Sequence, residues 1–296
     1  MRVAICSKRD LTSLIILNDL LPRLAGIGGC QFALLLAVRT RAVETQVPEL
    51  IRTKFLERDL PFDRLCLHRP RRPDGRSKGG VDLLDLPGLE QAFGITAHMV
   101  HSSAEVDSRL IAFQPDLVLS VRFSFLFREL IRSLPRHGIV NVHPGRVPDY
   151  AGLYPHFFSM LAGEEALGCT VHFVDSSIDS GAIIATGEVP IDRRRSAFAH
   201  NLDSHLLGNR FLAEIAGRLT RNEEVPSWPQ QAPATRPNTY PTRGEFDRFR
   251  EAGLSLIHAE EYTKILRRFG IEDGISLSDD ATGFPDLTGT NRAMGG

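Results

Sequence analysis

Short apolar runs alternate with helical repeats along the first two thirds of the chain. Val3–Cys6, Phe32–Val38, Thr96–Val100 and Asp116–Val121 are apolar stretches of strand length, the pattern of strands buried on both faces. Between them Leu11–Leu24, Val47–Leu60, Leu83–Phe93 and Val106–Phe113 place apolar residues at helical spacing. That rhythm predicts an α/β fold: a Rossmann-like, mostly parallel sheet with helices on both faces. Further on, Ile139–His143 alternates, so Asn141 and His143 share one strand face, and Pro144 ends regular pairing because it has no N–H to donate. Thr170–Val174 is a second strand able to run beside it. Pro155–Ala162 reads as a helix, Ala182–Ile184 and Glu188–Ile191 as strands completing the sheet, and Ala199–Leu219 as a helix packed on it.

After Leu219 the pattern breaks. Five prolines between Val225 and Thr242 predict an extended segment draped on the surface. Thr242–Gly253 and Ala259–Phe269 follow as two short helices, and Ile271–Gly296 is polar and glycine-rich. The expected organisation is a main domain over 1–220 and, over 221–296, a proline-rich linker with a small C-terminal helical appendage. Arg69–Gly80 is a basic Pro/Gly-rich loop that reads either as a solvated segment or as a clamp for an anionic ligand. Lys8 and Arg9, after the first strand, read more readily as surface charge than as an anion site.

Composition narrows the function classes. Among 296 residues, 42% hydrophobic and 24% charged describe a globular protein, and a net charge of −1 gives no electrostatic footprint for nucleic acid. Cys6, Cys30, Cys66 and Cys169 lack disulfide-framework or zinc spacing, so reduced thiols and no metal are expected. No run reaches the length of a membrane span and no secretory leader opens the chain, so the expected location is cytoplasmic, away from membranes. A homodimer is compatible with the sequence.

Candidate chemistry concentrates between Gly138 and Gly181. An amide at Asn141 can donate to an oxyanion, the imidazole of His143 can share that task or move a proton, and the carboxylate of Asp179 can orient the ring. Singly, each has a plainer reading: a strand-end amide, a structural histidine, a turn former. Thr170 and His172 share a face of the second strand and read as support.

The spaced elements Asn141-x-His143-Pro144, Pro148-x-Tyr150-x-Gly152, Gly163-Glu164, Thr170-x-His172 and Ile178-Asp179-x-Gly181 resemble the signature of the folate-dependent formyltransferases. The resemblance runs from about Pro115 to Ile191 and implies that residues 1–220 form a catalytic domain using 10-formyltetrahydrofolate as cosubstrate. Carried over by position, Asn141, His143 and Asp179 are the catalytic residues. Arg122, Phe123, Phe125 and Ser176 fall where the family lines its folate slot, and Tyr150, Tyr154 and His156 where it shapes the acceptor side. The implied partner is a small-molecule amine, a nucleotide-linked amino sugar being favoured over a siderophore precursor such as hydroxyornithine. A formyltetrahydrofolate hydrolase would use the same three residues with water as acceptor. Two short helices at the tail, where methionyl-tRNA members carry a basic β-barrel, weigh against a tRNA acceptor. Ser7-Lys8-Arg9-Asp10, where phosphate-binding members carry a glycine-containing loop, weighs against glycinamide ribonucleotide.

Overall fold

The computed structural model describes residues 1–69, 82–231 and 236–271. Seven strands form one sheet: β1 (Arg2–Lys8), β2 (Gln31–Ala37), β3 (Ala97–Val100), β4 (Leu117–Val121), β5 (Ile139–His143), β6 (Ala166–Phe173) and β7 (Ile183–Pro190). Their spatial order is β3-β2-β1-β4-β5-β6-β7. Pairing is parallel from β3 through β5 and antiparallel at β5–β6 and β6–β7. The expected mostly parallel α/β sheet is therefore present. Ala182–Ile184 and Glu188–Ile191, read from sequence as two strands, are parts of the single strand β7, because Thr186-Gly187 stays in register with β6.

The described residues contain nine α-helices: α1 (Leu11–Ala25), α2 (Pro48–Lys54), α3 (Leu86–Phe93), α4 (Ser103–Phe113), α5 (Glu129–Arg132), α6 (Pro155–Ala162), α7 (Ala197–Thr220), α8 (Arg243–Glu251) and α9 (Ala259–Arg268). The periodic stretch Val47–Leu60 is not one regular helix. Pro48 opens α2, and from Phe55 to Arg64 the backbone widens, as in the Leu65 N–H bond to the Leu60 carbonyl five residues back. Asp10 caps α1 by accepting the Ser13 N–H at 2.7 Å, which fixes the helix start immediately after β1.

One face of the sheet packs on α1, α3, α7 and α9, the other on α4 and α5. Gly208 lets α7 lie directly on the sheet, since a Cβ there would sit 2.4 Å from Val142 Cγ1. Ile257, Tyr262, Leu266 and Phe269 belong to the main core, while Phe246 and Phe249 close on Phe157, whose ring stacks on Phe249 at 4.4 Å. The two C-terminal helices thus share packing with the sheet and α6. The segment before them is pinned down: Ile183 and Trp228 exchange both backbone hydrogen bonds, and Asn238 joins Ala151 and Leu153. Among the described residues no helix is long and apolar enough to cross a membrane. The basic loop beyond Arg69 and the tail beyond Ile271 lie outside the described residues.

Candidate active site

The strand order reverses direction between β1 and β4, and the C-terminal ends of β1, β4 and β5 open onto a cavity of about 780 Å3. Cross-strand register builds the polar cluster on its floor. Ser120, Asn141 and His172 are direct neighbours on β4, β5 and β6, and their side chains form a row. The Ser120 hydroxyl donates to Asn141 Oδ1 at 2.8 Å, and Asn141 Nδ2 donates to His172 Nε2 at 3.1 Å. His172 Nδ1 in turn donates to the Phe173 carbonyl at 2.8 Å. One N–H of the Asn141 amide is used in that row. The second is the donor left for a ligand, and Asn141 lines the cavity.

His143 is 4% exposed and held from both ring nitrogens. Its Nε2 lies 2.8 Å from the Tyr150 carbonyl, an acceptor only, so Nε2 carries a proton. Its Nδ1 faces Asp179 Oδ2 at 3.4 Å, and His172 Nε2 lies 3.6 Å from Asp179 Oδ1. Asp179 therefore sits between two imidazoles, and its Oδ2 also accepts the Gly152 N–H at 2.8 Å. Burial alone would push its pKa up. The neighbouring imidazoles of His143 and His172, together with the Gly152 N–H, outweigh that and hold the carboxyl well below the ordinary range, so it is ionised at neutral pH.

Asp179 adopts a φ of 50°, a left-handed conformation that Asp visits more readily than most residues. Gln230 fixes that turn from the proline-rich segment, donating from Nε2 to the carbonyls of Asp179 at 2.9 Å and Gly181 at 2.7 Å. Gly152, at φ 96°, brings its N–H to the carboxylate while its α-carbon touches Asn238: a Cβ would lie 2.3 Å from the Asn238 carbonyl oxygen.

The other expected site residues divide. Thr170 donates to the Gly145 carbonyl at 2.7 Å and ties down the loop after His143. Tyr150 contributes its carbonyl to His143, while its hydroxyl donates to Glu164 at 2.6 Å, and it is not among the cavity-lining residues. Tyr154, His156, Arg122, Phe123 and Phe125 all line the cavity. Ser176 does not join them: β6 has ended, and Ser176 is exposed on the following turn, outside the lining.

Arg122, at φ 60°, extends its Nη2 to Asp10 Oδ2 at 2.9 Å and Glu57 Oε1 at 3.2 Å. Against the cost of burial, Arg122 and then Lys8 bring the Asp10 pKa down to about 2. Lys8 is not solvated surface charge: it lines the cavity, and burial followed by repulsion from Arg122 lowers its pKa. Arg9 is half-buried, pairing with Asp63 at 3.0 Å and lying over the Phe62 ring. Sequence reasoning missed Ser120, Gln230, Asn201, His205 and the stretch Arg236–Tyr240 that forms part of the rim. A lone serine in the apolar run of β4 was the available signal for the first.

Residues 89–210 match the family model described as "Formyl transferase". Two curated relatives are methionyl-tRNA formyltransferases. That of Ralstonia nicotianae is 27% identical over 56% of this chain and 54% of its own length, and that of Alkaliphilus oremlandii 30% over 55% and 52%. The chain spans about half the length of such relatives. Among solved structures, glycinamide ribonucleotide transformylase 1 from Symbiobacterium toebii superposes with a TM-score of 0.53 at 18% identity, covering 78% of this chain and 94% of that one. A 4-N formyltransferase from Francisella tularensis gives 0.51 at 15% identity, covering 84% and 78%. At such identity these superpositions speak for the fold.

Proposed function

We propose that this chain, whose residues 89–210 match the formyl transferase family model, moves a formyl group from 10-formyltetrahydrofolate to the amine of a small acceptor. The observation that carries this reading is the convergence of Asn141, His143 and Asp179, with His172 behind them, on the floor of a cavity of about 780 Å3. The neutral amine attacks the formyl carbon and forms a carbon–nitrogen bond. The carbonyl oxygen takes the negative charge and is met by the free N–H of Asn141. His143 can add its Nε2–H only by letting go of the Tyr150 carbonyl, so its part in oxyanion binding depends on that loop. As the tetrahedral centre collapses, the bond to the folate nitrogen breaks and a proton from the attacking amine is carried to that nitrogen by way of His143. Asp179 steadies the ring whenever it is positive. Phe123 and Phe125 offer an apolar flank to a flat heterocycle, and Tyr154 and His156 face the acceptor side.

The names of the similar proteins point to different acceptors, methionyl-tRNA for one group and glycinamide ribonucleotide for another, so the acceptor has to be argued from this cavity. A nucleotide-linked amino sugar suits a cavity lined by polar and aromatic groups. A hydroxyornithine-type amine is the second choice. The test is incubation with 10-formyltetrahydrofolate and a panel of amines, following tetrahydrofolate release and product mass. A formylated amine supports the proposal. Formate released without any amine, and no amide product with one, would replace it with the hydrolase reading.

A further inference from the structure

Four buried polar atoms on the walls of this cavity have no hydrogen-bond partner among the described residues: Asn201 Oδ1, His205 Nε2, His156 Nδ1 and Arg122 Nε. Asn201 and His205 are 3% and 1% exposed and stand four residues apart on α7, hence on one helix face. His156 comes from α6, and Arg122 from the end of β4.

Their chemical characters differ. His205 Nδ1 donates to the Asn201 backbone carbonyl at 2.7 Å, so Nε2 is left as a bare acceptor. Burial, then Arg122, lowers the pKa of both His205 and His156 to about 3, so both rings are neutral at physiological pH. Asn201 Oδ1 is a second acceptor. Arg122 Nε–H is a donor, since the pairing with Asp10 and Glu57 runs through Nη2. His200, one turn before His205, shows that the fold can satisfy a buried histidine by itself. There Nδ1 donates to the Ser196 carbonyl at 2.8 Å and Nε2 accepts the Asp192 N–H at 3.0 Å. The neighbouring ring is left open on the cavity side.

A group that answers this set must both donate and accept. An ammonium only donates and would meet the Arg122 charge; a phosphate or carboxylate only accepts and would leave two bare acceptors unmatched. Hydroxyl groups do both. We propose that Asn201, His205 and Arg122, flanked by His156, form a subsite for adjacent hydroxyl groups of the acceptor, two donating to His205 Nε2 and Asn201 Oδ1 and one accepting from Arg122 Nε–H. The subsite rests on the reading that this cavity takes the acceptor, and it makes that acceptor a polyhydroxylated amine of the aminohexose type.

The test uses the full chain labelled with 15N-histidine, titrated with three aminohexoses of different hydroxyl configuration and with cyclohexylamine, which has none. The His205 resonances are identified by their loss in His205→Gln. At least one aminohexose should shift His205 Nε2, and cyclohexylamine should not. Asn201→Leu should weaken that aminohexose about three- to tenfold, the range for one neutral hydrogen bond, followed through His205 itself. A His205 signal that ignores every aminohexose, or responds equally to cyclohexylamine, overturns the subsite. So does unchanged affinity in Asn201→Leu. If aminohexoses bind in this way but no tetrahydrofolate is ever released with them, the subsite stands and formyl transfer is what fails.

Discussion

The floor and the helical wall of the cavity are built on opposite plans. On the floor, Ser120, Asn141, His172, His143 and Asp179 are tied to one another or to backbone at almost every polar atom. On the wall made by α6 and α7, His156, Asn201 and His205 are equally deep yet leave ring and amide atoms unanswered by the protein. Buried polar groups cost free energy unless paired, so the first arrangement holds geometry in advance and the second reserves its pairing for something that enters. On the proposed reading, machinery that must be in place before the reaction belongs on the floor, and recognition on the wall.

The largest effects should come from the floor. A lost oxyanion donor typically costs about a hundred- to a thousandfold in turnover. Asn141→Ala and His143→Ala should each lose at least that much kcat in the folate-release assay while far-UV circular dichroism stays unchanged. Near-normal turnover in either variant would dissolve the distinction between the two surfaces. Asp179→Asn keeps the shape and removes the charge between the two imidazoles, so it should impair proton transfer and change the pH profile of kcat.

Acid separates the walls next. His205 has a folded pKa of about 3 against an ordinary 6.5. The unfolded chain binds a proton between those values and the folded chain does not. The stability it contributes is complete above pH 6.5 and declines as pH falls toward 3, with a slope approaching about 1.4 kcal/mol per pH unit for one such group. Asp10, in the ionic cluster with Arg122, is depressed to about 2 from 3.8, so its contribution is intact above 3.8 and fades only below it. Urea unfolding at a series of pH values should show wild type weakening well above pH 4 and His205→Gln weakening less over that span. Equal slopes would mean that the wall is not held neutral.

Third in size is Gly152, where floor and rim meet. A Cβ would collide with Asn238, and the φ of 96° is strained for any other residue. Left-handed backbone costs about 1–2 kcal/mol and overpacking about 1–3. Gly152→Ala should lower stability by about 2 kcal/mol in denaturant and displace the N–H that meets Asp179. Substitution at Gly163, whose added Cβ meets nothing within 4 Å, is the control for backbone strain alone.

How much of this was legible follows from which contacts are local in sequence. Asn141 and His143 could be read because strand alternation fixes their common face, and Thr170 with His172 for the same reason one strand later. The sheet itself was legible because buried parallel strands are continuous apolar runs. Lys8 was misread because a charge after a strand ordinarily meets water; only the assembled cluster of Asp10, Glu57 and Arg122 shows why it does not. Asn201 and His205 look in sequence like polar residues scattered on a packing helix, and nothing local says which face meets the cavity. The reading of Ser176 followed a motif position, but a turn that reverses within a few residues decides exposure residue by residue.

The smallest expected effect tests the strap that crosses the floor. Gln230 reaches Asp179 through the backbone, its Nε2 donating to the carbonyls of Asp179 and Gly181. Losing two such bonds, partly replaced by water, should cost about 1–2 kcal/mol net. If the strap only stabilises the fold, Gln230→Ala will lower the unfolding midpoint and leave kcat alone. If it aims the carboxylate, kcat will fall several-fold with KM for the folate unchanged. Gln230→Glu will then not restore activity, because a carboxylate cannot donate and would face two carbonyl oxygens. A change in stability with no change in kcat would place the strap with the scaffold and narrow the preorganised floor to the residues on β4, β5 and β6 and the turn that follows.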